Sequence, residues 1–303
     1  ITVDLALKFI RRCAEQKQRF LTVVWFGSPH DPHQPLDTDA ALYEDQPKAR
    51  RNFYAEITAM DRAFGRLRGE LATLGLRDDT ILWYCSDNGA LKKVGSSGGR
   101  RGHKGTVYEG GLLVPGLLEW PGKWDAPRVI EEPCVTSDIY PTILAATGVQ
   151  VADQPVLDGQ NLLPLLEKQT FKRQPIGFWD YPAPGIRTPS KEWMDQLLGE
   201  QAKGNEPADP EKLMTDAAQI KTPLATNKFP GRAAWIDGRW KMLRTQHPQT
   251  GAVDWELYDL EADPAEAFTL YAEQPERVAQ MQKDLEDWLE SVAKSHNGED
   301  YRE

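Results

Sequence analysis

Hydrophobic positions along this chain repeat with two periods, and the period changes along its length. In residues 3–16, Leu5, Phe9, Ile10 and Cys13 fall on one helical face, with Thr2 or Asp4 placed to cap the helix. Phe20 to Phe26 is an apolar run with no helical repeat and predicts a buried strand. Across 48–74, Phe53, Ile57, Met60, Phe64, Leu67, Leu71 and Leu74 recur at spacings of four and three, and Gly75 follows as a stop. Predicted strands flank this helix on both sides, so it is expected to cover a sheet. Ile81 to Cys85 predicts another buried strand, and Gly111 to Trp120 a further one, closed by Pro121-Gly122. Ser137-Asp138 opens a helix with Pro141 in its first turn and Gly148 as its stop.

From 168 to 230 the pattern weakens into a proline-rich excursion, polar from Gln201 to Pro210, with one short helix expected near Lys191–Leu198. Trp179, Tyr181 and Trp193 either pack this excursion down or form a wall against which a sugar could stack. Residues 232–260 then switch to strands: Ala234-Trp235-Ile236, a turn at Asp237-Gly238, Trp240 to Leu243, and Trp255 to Leu260. A helix from Pro275 to about Lys294 turns Val278, Met281, Leu285, Trp288 and Val292 inward. The class is α/β: a mixed sheet flanked by helices, with a small C-terminal antiparallel sheet plus helix. The expected division is 1–167, a loop-rich 168–230, and 231–303.

Composition narrows the function. Hydrophobic residues make up 40% of the 303, and no run approaches the ~18 apolar residues of a membrane span. A net charge of −10 argues against nucleic acid and anionic membrane surfaces as partners. An anionic ligand would need a local basic patch, which Lys92, Lys93, Arg100, Arg101 and Lys104 could supply. Cys13, Cys85 and Cys134 show no CxxC spacing and suggest neither zinc nor a redox motif. The chain opens on Ile-Thr-Val-Asp, directly into a helix, and is expected to be the interior of a longer protein.

The candidate chemistry gathers where the strand at 81–85 ends in Ser86-Asp87-Asn88-Gly89. Strand tips are where ligands bind in open α/β sheets. Asp87 and Asn88 are hard oxygen donors, suited to Ca²⁺ or Mg²⁺ and poorly to Zn²⁺, although Asp-Asn-Gly is also ordinary turn chemistry. A glycine-rich stretch follows and carries Arg100, Arg101 and Lys104 back past the same place. A metal beside a lysine suits an oxyanion ester. The loop Gly27 to Pro35 holds Pro29, Pro32 and Pro35, which stiffen it around His30 and His33. A histidine there can act as a general acid or donate to an oxyanion, or can simply be a surface residue.

Ser86-Asp87-Asn88-Gly89, then Gly102-His103-Lys104-Gly105-Thr106-Val107-Tyr108-Glu109-Gly110-Gly111 and Val114-Pro115, together resemble the type I, formylglycine-dependent sulfatase family. Tyr54 to Asp61, Leu157-Asp158-Gly159 and Asp263-Pro264-x-Glu266 extend the resemblance through most of the chain. It implies an alkaline-phosphatase-like fold, incomplete in this chain, and hydrolysis of a sulfate ester of a carbohydrate or aryl substrate. By the same resemblance Asp87 and Asn88 bind Ca²⁺ or Mg²⁺, Lys104 binds the sulfate, and His30 touches it near the leaving-group oxygen. His33 and His247 match no fixed position and stand as substrate-side candidates, with Arg101 beside Lys104. No Cys/Ser-x-Pro-x-Arg nucleophile motif follows any of the three cysteines. The formylglycine is therefore expected on an N-terminal part of the same protein. The alternatives are a phospho- or phosphonate-ester hydrolase on the same scaffold, and a non-catalytic fragment that binds sulfated glycans. The family implies a periplasmic, secreted or lysosomal location.

Overall fold

The computed structural model describes residues 2–124, 126–180, 199, 200, 203 and 223–301. They form two compact units, Ile1–Glu131 and Glu132–Glu303.

In the first unit, helix α1 (Thr2–Glu15) buries Val3, Ala6, Leu7, Ile10 and Cys13. The buried face is rotated from the expected one, since Leu5 is 55% exposed. It packs with Leu67 and Leu71 of α3 (Lys48–Thr73), and the rim is tied by Arg11 to Glu70 at 2.6 Å and Arg66 to Asp4 at 2.6 Å. A short helix α2 (Asp37–Ala40) precedes α3, and its buried Asp39 pairs with Arg62. The end of α3 follows from one residue. Gly75 takes φ +68°, which lets Gly75 N–H reach Ala72 O at 3.0 Å and Leu76 N–H reach Leu71 O at 2.9 Å. This double closure satisfies the last carbonyls and folds Leu76 back onto the core.

Strand β1 (Leu82–Cys85) is half-buried and pairs antiparallel with β2 (Gly116–Glu119), Leu82 opposite Glu119 and Cys85 opposite Gly116. The strand expected over Gly111–Trp120 is shorter than predicted. Its first part closes instead a helical turn, α4 (Glu109–Leu112), because Gly110 and Gly111 pack against the loop before them. The buried strand expected at Phe20–Phe26 is an extended segment with no ladder partner among the described residues. Phe20, Val24 and Phe26 pack inward, while Leu21, Val23 and Trp25 point out at 69%, 67% and 86% exposure. The alternation of a strand is present, and a neighbour to complete the ladder is not among the described residues.

In the second unit, a 3₁₀ turn at Thr136–Asp138 leads into α5 (Ile139–Thr147), stopped by Gly148 at φ 71°, and α6 (Leu163–Leu166) follows. Four antiparallel strands run in chain order: β3 (Ile176–Asp180), β4 (Arg232–Asp237), β5 (Trp240–Gln246) and β6 (Val253–Asp259). The Asp237-Gly238 hairpin turn appears as predicted, with Gly238 at φ +56°. Helix α7 (Pro275–His296) lays Val278, Met281, Leu285 and Leu289 on Met242, Leu257 and Ala233. Trp179 and Trp288 pack against this core. Strand β3 lies inside the region expected to be loop-rich. The predicted helix at Lys191–Leu198 and residues Tyr181 and Trp193 lie outside the described residues.

The units divide at Glu131/Glu132, whereas the sequence pattern placed a boundary at 167/168. Side-chain links tie the intervening residues to the sheet and its helix. Asp138 accepts from Gln160 N–H at 2.7 Å and Arg173 at 2.8 Å, and Trp288 donates to Asp158 at 3.0 Å. Among the described residues no helix is long and apolar enough to cross a membrane.

Candidate functional site

The site begins where β1 ends. Gly89 N–H donates to Gly111 O at 2.9 Å, and Lys104 N–H donates to Ala90 O at 3.0 Å. These two bonds close residues 90–104 into a loop with its neck at the strand tip, bringing Lys104 beside the segment that carries Asp87 and Asn88. Glycine is required at the crossing. A Cβ on Gly89 would meet Gly110 O, and one on Gly111 would meet Thr106 O, both well under the 3.0 Å that real Cβ atoms respect. Thr106 locks the far side, with Oγ1 donating to His103 O at 2.8 Å and accepting from His103 N–H at 3.1 Å. Glu109 is buried below, and Arg101 lies over the Tyr108 ring at 4.0 Å from the centroid.

Asp87 is exposed at the tip, and Asn88 is half-buried. The Asn88 amide donates Nδ2–H to Gly89 O at 3.1 Å, which leaves Oδ1 as its unengaged atom among the described residues. The two side chains thus offer hard oxygens, the donor chemistry of Ca²⁺ or Mg²⁺. Two donors are too few for a complete shell, and among the described residues no group of three or more His, Cys, Asp or Glu is placed to hold a metal. Burial first, then the Asp87 charge, pushes the thiol pKa of Cys85, two positions away, up. Lys104 is half-buried, and its ammonium has no carboxylate within 4.0 Å among the described residues.

His30 and His33 sit on the second stiff loop, which α3 holds in place. Gln34 N–H donates to the buried Glu56 at 2.6 Å, Asn52 donates to His33 O at 3.3 Å, and Phe53 meets the His33 ring edge-on at 5.3 Å. None of these three anchors was singled out from sequence as part of a site. Glu56, an acid at a buried position of an amphipathic helix, was the available signal. The His30 ring is exposed, with Nδ1 against Asp31 O at 2.8 Å. That bond needs the proton on Nδ1, so Nε2 is the nitrogen presented outward, as acceptor when neutral and donor when protonated. Both nitrogens of His33 are engaged within the loop: Nε2 with Pro29 O at 2.9 Å and Nδ1 with Asp31 Oδ1 at 3.1 Å. No hydrogen bond or ion pair joins His30 to Asp87, Asn88 or Lys104. His247 belongs to the second unit, at the β5–β6 turn, where Nε2 meets Asp254 at 2.7 Å.

The Sulfatase family model matches residues 1–149, the stretch that contains both loops. Residues 1–149 are thus similar to the sulfatase family. Human steryl-sulfatase is similar at 32% identity over 180 residues, 55% of this chain and 29% of that protein. Human arylsulfatase H is similar at 38% identity over 171 residues, 54% of this chain and 29% of that protein. The fold of this chain resembles the crystal structure of Ps i-CgsB in complex with k-i-k-neocarrahexaose. The TM-score is 0.73 at 22% identity, covering 98% of this chain and 58% of that one. The chain therefore spans under a third of these curated relatives and little more than half of the solved structure. The alkaline-phosphatase-like α/β class expected from the motifs agrees with this likeness.

Proposed function

We propose that the protein to which this chain belongs hydrolyses sulfate esters, and that Asp87, Asn88, Lys104 and His30 are this chain's share of the site. The observation that carries the reading is the closed loop that sets the Lys104 segment beside Asp87 and Asn88 within the sulfatase-family segment. Asp87 Oδ and Asn88 Oδ1 would hold a Ca²⁺ or Mg²⁺ ion, which when bound draws charge from the sulfate oxygens. The Lys104 ammonium binds a non-bridging sulfate oxygen and stabilises the charge that grows on it. His30 Nε2–H donates to the bridging oxygen, so that the S–O bond breaks and the alcohol leaves with that proton. The nucleophile, a formylglycine in the family this chain resembles, would come from sequence outside these residues.

The exposed apolar face of Leu21, Val23 and Trp25 supports the existence of such a further part, since it reads as a surface that another layer of structure would cover. The substrate would be a sulfated glycan or small molecule. An exported location, periplasmic, secreted or lysosomal, is the setting that fits the family.

In the full-length protein, Lys104→Ala is expected to lower kcat on an aryl sulfate by about 10²–10³, the scale of losing one oxyanion donor. Chelation of divalent cations should abolish the remainder, with Ca²⁺ or Mg²⁺ restoring it. Near-normal turnover by Lys104→Ala, or a preference for phosphate over sulfate monoesters, would overturn the reading.

A further inference from the structure

The loop that closes at Ala90 and Lys104 carries more positive charge than one sulfate needs. From Gly89 to Tyr108 there are five Lys or Arg residues and no Asp or Glu, in a chain where 46 of 303 residues are acidic and the net charge is −10. Elsewhere in the same unit five arginines find carboxylates: Arg11 with Glu70, Arg62 with Asp39, Arg66 with Asp4, and Arg68 and Arg77 with Glu119. In this loop Lys92, Lys93, Arg100 and Lys104 have no carboxylate within 4.0 Å among the described residues. Among the described residues these four cations are thus left without a counter-charge and open to an anion from outside the chain.

Their backbone is nevertheless fixed. Lys92 and Lys93 are exposed on a turn pinned by Gly95 N–H to Leu91 O at 2.9 Å and by the buried Val94. Arg100 follows the positive-φ pair Gly98 and Gly99, its carbonyl held by Ser97 Oγ at 2.7 Å. Lys92 is two residues from the Ala90 end of the neck, and Arg100 is four from the Lys104 end. The chain places each within about 14 Å of the neck, and the side chains extend that reach.

We infer that Lys92, Lys93 and Arg100 form an anion-binding strip beside Lys104. It would engage further sulfate or carboxylate groups of an oligosaccharide whose scissile sulfate lies at Lys104. The inference rests on the sulfatase reading for what lies at Lys104, and it narrows the substrate class from any sulfate ester to a polyanionic glycan.

The test compares two probes on the full-length protein: a heparin hexasaccharide, for binding, and 4-nitrophenyl sulfate, for turnover. For Lys92→Ser/Lys93→Ser/Arg100→Ser, affinity for the hexasaccharide is expected to fall about tenfold or more. The slope of log affinity against log salt should become shallower by about 2, as three ionic contacts disappear. KM for 4-nitrophenyl sulfate should change far less, and Lys92→Arg/Lys93→Arg/Arg100→Lys should keep the hexasaccharide affinity. An unchanged affinity and salt slope in the serine variant, or equal losses for both probes, would overturn the strip. If the hexasaccharide binds in this charge-dependent way while no sulfate ester is hydrolysed, the strip stands and the sulfatase reading falls. If turnover depends on Lys104 while the hexasaccharide ignores the three substitutions, the sulfatase reading stands and the strip falls.

Discussion

Glu119 shows how much a single side chain can do at the edge of the first unit. Its two oxygens accept from Arg68 Nε at 2.6 Å and Arg77 Nε at 2.7 Å, joining α3 and the turn after it to β2. The Arg68 bond, with a smaller share from Arg77, holds the carboxyl pKa below its ordinary value although partial burial pulls the other way. A depressed folded pKa gives stability that is present above the unfolded value, near 4.3, and is lost as pH falls through the folded one. Glu119→Gln is therefore expected to destabilise at pH 7 and to match the parent once pH drops below the folded pKa. The guanidinium groups are 47% and 39% exposed, so solvent screens the pair and the cost at pH 7 stays below about 1 kcal/mol. Urea unfolding of both proteins at pH 7 and in acid checks this, and a gap that persists in acid would refute it. Asp87, Asn88 and Lys104 stood out because their chemistry is polar at a strand tip where packing needs none. His33 did not resolve, because a proline-rich loop can aim an imidazole outward or fold it into its own carbonyls. Only the third dimension shows both ring nitrogens engaged.

At the level of elements, Asp138 is the joint of the second unit. It is fully buried, and its carboxylate accepts from Val135 N–H at 2.8 Å, Gln160 N–H at 2.7 Å and Arg173 at 2.8 Å. Arg173 is 5% exposed, and its Nε and Nη2 have no other partner among the described residues, so the pair depends on this one contact. Asp138→Asn would strand a buried guanidinium and is expected to cost about 3–5 kcal/mol, read as a lowered urea midpoint. Asp138→Asn/Arg173→Met removes both charges and should recover a good part of that loss. A double variant as unstable as the single would mean that the backbone hydrogen bonds, and not the charge pair, hold the joint. Helices α3 and α7 were legible because their apolar spacing persists over many turns. Strand β3 was missed because Ile176-Gly-Phe-Trp-Asp180 is short and sits between prolines at 175 and 182. Its glycine, which reads as a weak strand residue, is there because the Trp288 ring lies against the backbone at Gly177 and leaves no room for a side chain.

On the scale of the whole molecule, the segment 20–26 carries the remaining question. Sequence alone made it a buried strand, and its alternation is real: Phe20, Val24 and Phe26 pack inward. Burial on the other face needs a neighbour, and no local pattern can report whether one is present. Leu21, Val23 and Trp25 stand 69%, 67% and 86% exposed, an apolar face of the kind that a further layer of structure covers. If the full-length protein covers this face, the same substitution must have opposite consequences in two contexts. In the 303-residue chain, Val23→Lys places a charge on a solvent-facing side of the segment. It should change stability by no more than about 0.5 kcal/mol and raise solubility. In the full-length protein the same lysine would be buried without a partner and should cost about 3 kcal/mol or more. Urea unfolding of the two proteins, each with and without the substitution, separates the cases. A small effect in both would leave the face exposed in the full-length protein and remove the main structural support for a nucleophile-bearing part docked against it. A large effect confined to the longer protein would place that part against residues 20–26, on the segment that leads directly into the His30 loop.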